Sequence, residues 1–111
     1  MPADGEAAGD PFDALADGNR RAILRILADG ERPVNELAAV LPISRPAVSR
    51  HLKLLSDAGF VALKQQGTRR IYSLRQEGAL AVQAYLETLW GDAAARFRLM
   101  AENTENTEKR K

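Results

Sequence analysis

Between Ser44 and Arg75 the chain places Arg45, Arg50, Lys53, Lys64, Arg69, Arg70 and Arg75 against a single acid, Asp57. A guanidinium donates in pairs to guanine edges and phosphate oxygens, and an ammonium neutralises phosphate as a point charge. This stretch carries a net +6, whereas residues 1–43 carry −4 and residues 76–111 carry −1. A chain of overall charge +1 with one strongly basic third has the electrostatic footprint of a surface for a polyanion. A merely solvated charged face would mix the two signs. This one does not.

Other chemistries lack their residues. The chain has no cysteine and one histidine, His51. Disulfides, thiolate metal sites and a multi-histidine metal site within one chain are therefore excluded. No glycine-rich phosphate loop opens a helix and no pair of buried carboxylates can be placed, so nothing supports an enzyme. Composition is ordinary for a globular protein, with 45% apolar and 28% charged residues. No apolar run approaches the ~18 residues of a membrane span. Met1 to Asp10 is small and acidic rather than basic then apolar, so a cytoplasmic protein is expected.

The elements that must carry the basic stretch can be read from periodicity and punctuation. Phe12 to Ala16 is a short apolar turn of helix. Asp17 can cap a helix from about Asn19 to Ala28, with Ala22, Ile23, Ile26 and Leu27 as its core stripe, and Asp29-Gly30 ends it. Pro33 suits the first turn of a third helix bearing Val34, Leu37, Ala38 and Leu41, closed by Pro42. Ser44 can cap a fourth helix that tolerates Pro46 in its first turn and stops at Gly59. Two short helices joined by Leu41-Pro42-Ile43 have helix-turn-helix spacing. Phe60–Lys64 and Arg69–Leu74 then flank Gln65-Gln66-Gly67-Thr68 as a hairpin. A long last helix begins at Glu77 and reaches about Met100, with Gly91 a weak point.

The fourth helix is two-sided. Val48, Leu52 and Leu55 face one way, with His51 at the edge as a packed or hydrogen-bonded structural histidine rather than a base contact or pH switch; Arg45, Pro46, Ser49, Arg50 and Lys53 face the other. Pro46 and Ala47 keep its first turn slim enough for a major groove. With Gln66-Gly67 as the two-residue loop, Val61 lies opposite Tyr72, Leu63 opposite Arg70, and Lys64 opposite Arg69. Like charges directly opposite are unfavourable unless an anion arrives beside them. The last helix is apolar on more than one side: Val82, Leu86, Leu89, Ala93 and Phe97 form a stripe flanked by Tyr85 and Trp90. So wide an apolar surface, with Phe12 and Leu15 from the first helix, points to an interface between two copies.

These residues carry a family resemblance over about residues 12–100. The segments are Leu15–Leu24, Glu36-Leu37-Ala38, Ser44–Leu55 with its Ser-Arg-Pro-Ala-Val-Ser-x-His-Leu-Lys pattern, and Gly67–Leu74 with Gly-x-Arg-x-x-Tyr. Together they resemble the ArsR/SmtB family of bacterial winged-helix repressors, most closely the cysteine-free, SdpR-like autorepressors. The resemblance implies a homodimeric repressor whose fourth helix reads DNA. Metal-sensing members carry Cys-x-Cys on the third helix, where Pro33 and Asn35 stand here. Others use histidine and acids on the last helix, which here offers Glu87 and Asp92 and no histidine. No metal and no other cofactor is expected.

The expectation is a mostly α fold with one β-hairpin, in the order α-α-α-α-β-β-α, pairing through its first and last helices. Residues 1–10 and 101–111 read as disordered tails around a domain at 11–100. Arg45, Pro46, Ser49 and Arg50 are the expected base readers on double-stranded, two-fold DNA. Ser44, Lys53, Lys64, Gln66, Gly67, Arg69 and Arg70 are the expected phosphate and wing contacts. Two alternatives stand beside this: an effector pocket between the first and last helices under Trp90, and a winged-helix module that binds protein.

Overall fold

The computed structural model describes residues 9–109 and, within the last helix, leaves aside the side chains of 92–95, 99 and 103–109. Eight elements follow in order: α1 (Pro11–Ala16), α2 (Gly18–Leu27), β1 (Arg32–Pro33), α3 (Val34–Val40), α4 (Arg45–Asp57), β2 (Val61–Gln66), β3 (Arg69–Leu74) and α5 (Glu77–Lys109). Three of the helices start on a side-chain cap. Asp10 accepts from the Phe12 N–H at 2.9 Å, and the Ser44 hydroxyl accepts from Ala47 N–H at 3.2 Å. One Asp17 carboxylate oxygen takes both the Asn19 and Arg20 N–H groups, at 2.8 and 3.1 Å. Each cap satisfies donors that a helix start otherwise leaves bare.

The core lies where α2, α3 and α4 meet the sheet. Ile23, Leu37, Val48, Leu52, Leu55 and Val61 are its fully buried side chains, with Leu27, Val34, Phe60 and Tyr72 packed in the same cluster. The apolar stripes expected for the second, third and fourth helices are the ones that converge here. Gly78, in the first turn of α5, marks a close approach. A β-carbon there would lie 2.8 Å from the Ala58 carbonyl oxygen and 2.9 Å from the Phe60 ring. That absence of a side chain lets the first turn of α5, which follows β3, pack directly against the end of α4, where Gly78 donates its N–H to the Gly59 carbonyl at 2.9 Å.

Four expectations need correction. The sheet has three strands in the order β1-β3-β2, not two. Pro33 does not open α3; it is extended (φ −71°, ψ 153°) and pairs with Ile71 while Arg32 pairs with Tyr72. A residue before proline is steered away from helix, and proline is tolerated on an edge strand, so Arg32-Pro33 suits this place. The hairpin register also differs: Val61 lies opposite Leu74, Leu63 opposite Tyr72, Lys64 opposite Ile71, Gln65 opposite Arg70 and Gln66 opposite Arg69.

The physical reason is the loop. A two-residue hairpin turn needs positive φ at its first position. Gly67 supplies it at φ +62°, and no residue other than glycine has positive φ among the described residues. The loop is therefore Gly67-Thr68, and Lys64 and Arg69 do not oppose each other. Because the shift is two residues, every side chain keeps its face.

The last correction concerns the ends. The α5 backbone is helical past Met100, through Gly91 and on to Lys109. At the other end Gly9 donates its N–H to the Asp57 carbonyl at 2.9 Å and Asp10 caps α1, so both are docked. Residues 1–8 and 110–111 of the expected tails lie outside the described residues.

The Asp17 cap has a pH signature. Its carboxyl is held below the ordinary aspartate range chiefly by the Arg20 N–H; burial, the next largest effect, opposes this, and the Asn19 N–H, His51 and the Arg20 charge add lesser lowering contributions. A depressed carboxylate stabilises the fold fully above its unfolded-state pKa, and that contribution is lost as pH falls through the folded value. Asp17→Asn keeps a competent cap without the titration. Urea melts should show Asp17→Asn somewhat less stable than the parent chain near neutral pH, with the two converging below the aspartate range because the variant's cap does not titrate.

Candidate nucleic-acid interface

Ser44 starts α4 and Val48, Leu52 and Leu55, all fully buried, pin one side of it to the core. Periodicity then leaves Arg45, Pro46, Ser49, Arg50 and Lys53 on the solvent side, and all five are exposed. The strand alternation does the same work on the wing. Arg70 shares the face of Tyr72 and Leu63, toward α4, while Lys64 and Arg69 project from the other face. All three, with Gln66 and Gly67, are exposed.

The two surfaces meet in a cleft. A hollow of about 340 Å³ is walled by Arg45, Ser49 and Lys53 of α4 and by Leu63, Arg70 and Tyr72 of the hairpin. A second hollow of about 230 Å³ is walled by Asn35 and Glu36 of α3, Arg45, and Thr68, Arg69 and Arg70. Arg45 and Arg70 line both. They join the helix to the hairpin tip as one basic surface. Among the described residues, Arg45, Arg50, Lys64, Arg69 and Arg70 have no ion-pair partner, whereas Lys53 holds Asp57 at 3.3 Å. That exposed pair adds little to stability and leaves Lys53 free to exchange partners.

Asn35 and Thr68 are contributors that the sequence analysis did not single out. Asn35 entered it only as a missing metal ligand. Nothing local to Asn35 signals that β1 pairs with β3 and so brings the start of α3 to the hairpin tip. His51 is half-buried on the inner flank of α4, with Nδ1 3.1 Å from a nitrogen of the buried Arg20. It belongs to the packing side of the helix, as its place at the edge of the apolar face suggests.

The expected dimer residues form a second surface. Tyr85, Leu86, Leu89, Trp90 and Phe97 of α5 are each between 45 and 68% exposed, and Phe12 is 43% exposed. Val82 and Leu15 differ: both pack partly against the chain's own core. Phe12 and Tyr85 touch edge to face, with ring centroids 5.0 Å apart. The side chain of Ala93 lies outside the described residues. The hollow beside Trp90, about 510 Å³, is walled by Gln83, Leu86, Glu87, Gly91 and Arg98 of the same helix, not by α1. Among the described residues no group of three or more histidine or acidic side chains is placed to hold a metal ion, and no helix is long and apolar enough to cross a membrane.

A helix-turn-helix whose second helix presents a bare cationic face, followed by a basic hairpin, defines a winged helix-turn-helix of the DNA-binding class. Residues 15–64 match the model of a helix-turn-helix domain family. The chain is 51% identical over 79 residues to the HTH-type transcriptional regulator Rv2034 of Mycobacterium tuberculosis, covering 71% of this chain and 74% of the relative. It is 35% identical over 63 residues to the transcriptional repressor SdpR of Bacillus subtilis, covering 57% and 70%. It spans about half the length of several other curated relatives. Among solved structures it is similar to the homodimeric winged helix-turn-helix DNA-binding domain of a possible ArsR-family regulator from Mycobacterium bovis. The TM-score is 0.58 at 31% identity, over 74% of this chain and 81% of the other. The chain belongs to the ArsR/SmtB family of DNA-binding transcriptional regulators and is not an enzyme.

Proposed function

We propose that the chain acts in the cytoplasm as a homodimeric repressor of its own or an adjacent operon, without a metal signal. The single observation that carries this reading is the continuous surface of unpaired cations running from α4 across Arg45 and Arg70 to the hairpin tip. In it Arg45, Pro46, Ser49 and Arg50 enter the major groove and meet base edges. Ser44, Lys53, Lys64, Gln66, Gly67, Arg69 and Arg70 contact the sugar-phosphate backbone and set the register. The domain doing this runs from the docked Gly9 and Asp10 through α5.

Pairing is supported by α5. The chain's radius of gyration is 18.4 Å, against about 13 Å for a compact domain of this length. α5, 33 residues long and so about 50 Å from end to end, carries Leu86, Leu89, Trp90 and Phe97 in solvent. A second copy related by a two-fold axis covers such a face with itself. The same axis sets two copies of α4 on half-sites about 34–36 Å apart, or a multiple of that. An effector pocket between α1 and α5 has less support, because Phe12 and Tyr85 already meet there. A protein-binding role for the winged helix does not account for the bare cations on both α4 and the hairpin.

Band-shift titration against duplexes selected from a random library tests the reading face. Arg50→Ala should weaken the selected duplex by about 1–3 kcal/mol and relax base preference at one position, while Arg69→Ala should weaken all duplexes alike and lower the salt slope by about one. Sedimentation at micromolar concentration should give a dimer for the parent chain and a monomer for Leu89→Glu. DNA affinity should be unchanged by EDTA or by micromolar zinc; a loss of affinity on adding stoichiometric zinc, reversed by chelator, would contradict metal independence.

A further inference from the structure

Arg20 is the one buried charged residue among the described residues, at 9% exposure. Its guanidinium touches no carboxylate side chain among the described residues. Nε donates to the Ala14 carbonyl at 2.8 Å, Nη2 to the Asp13 carbonyl at 3.0 Å, and Nη1 lies 3.1 Å from His51 Nδ1. Arginine can only donate, so His51 Nδ1 must accept and its ring proton must sit on Nε2. Nε2 faces the Asp17 carboxylate at 3.9 Å. One side chain thus binds the C-terminal carbonyls of α1 and the inner flank of α4, from a position on α2.

His51 is next in the chain to Arg50 and two residues from Ser49. On a helix, a contact that holds one residue on the inner flank fixes the rotation of the helix about its axis. Rotation is what decides which side chains reach base edges. The three fully buried apolar side chains of α4 hold its distance from the core; being non-directional, they tolerate small rotations better than a fixed hydrogen bond does.

We propose that Arg20 and His51 are positioning residues for DNA reading: their hydrogen bond sets the roll of α4, so that specificity depends on a contact that never touches DNA. The inference rests on α4 being the reading helix. Backbone-phosphate contacts from the hairpin are independent of that roll. Losing the hydrogen bond therefore lowers affinity for the preferred sequence and leaves affinity for arbitrary sequence in place.

The test compares His51→Leu and His51→Asn with the parent chain. Leucine fills the half-buried site without an acceptor, and asparagine restores an oxygen near the Nδ1 position. Each protein is titrated against the duplex that the parent enriches from a random library and against a scrambled duplex of equal length. The expected result is about a tenfold loss on the enriched duplex for His51→Leu, the size of one good base contact. The scrambled duplex and the salt slope should change far less, since of the backbone contacts only Ser44 and Lys53 ride on α4, and His51→Asn should recover most of the loss. Arg20→Lys, which keeps the charge but not the three-way fork, should behave as His51→Leu does. Equal losses on both duplexes, in step with a lower melting temperature, would overturn the proposal in favour of a merely structural contact. Unchanged discrimination in His51→Leu would overturn it too. If Arg50→Ala still loses discrimination in the same titration, α4 remains the reader and only the positioning role fails. If Arg50→Ala is also unaffected, the reading role of α4 falls with it.

Discussion

The arrangement of the helices around α4 depends on one buried guanidinium. Arg20 is taken out of water at a desolvation cost of several kcal/mol, and it is compensated only by acceptors that the fold itself supplies. Two of these are carbonyls at the end of α1. The neighbouring Arg21 takes the last two, donating from Nη1 to the Leu15 and Ala16 carbonyls at 2.8 and 3.0 Å. A six-residue helix is too short to be stable alone, and its four terminal carbonyls would otherwise lack partners. Consecutive arginines on α2 therefore hold α1 in place. The third acceptor, His51, brings α4 into the same knot.

That knot separates two populations of cations with opposite roles. Arg20 and Arg21 are consumed inside the chain, where they complete helix ends and join elements. Among the described residues, Arg45, Arg50, Lys64, Arg69 and Arg70 stand without ion-pair partners on α4 and the hairpin. Repulsion among them disfavours the free protein slightly and is relieved when a polyanion arrives. Binding to phosphate releases condensed counterions, so the energy of this surface is realised in the complex and falls as salt rises. A chain of nearly zero net charge can do this because the compensating acids lie in other segments.

The same economy of contacts explains the last helix. Its first turn is locked by the close approach at Gly78 and by packing of Val82 on the core. Beyond Tyr85 nothing in the described part of the chain covers its apolar side. Large exposed apolar side chains at helical spacing disfavour a monomer in water at about 25 cal/mol per Å². Phe12, already in edge contact with Tyr85, extends this face onto α1. The helix that Arg20 and Arg21 anchor is therefore also the one that borders the candidate pairing surface.

The sequence by itself determined what depends on short-range period and punctuation. The buried stripe Val48, Leu52, Leu55 and the cationic face opposite it follow from 3.6-residue spacing. The caps at Asp17 and Ser44 follow from hydrogen bonds reaching two or three residues ahead. The family was legible too, from Ser44–Leu55 together with the Gly67–Leu74 segment. Only the tertiary structure decided the rest. The hairpin register turned on which loop position Gly67 occupies, since moving the loop by one residue shifts the pairing by two without changing either face. Strand β1 exists only because β3 is there to pair with Arg32 and Pro33, a partnership between residues far apart in the chain. Arg20, on sequence one more arginine beside Arg21, became a structural centre because α1, α2 and α4 close around it. No local pattern encodes such a role: it is a property of three elements meeting, and it exists only once they have met.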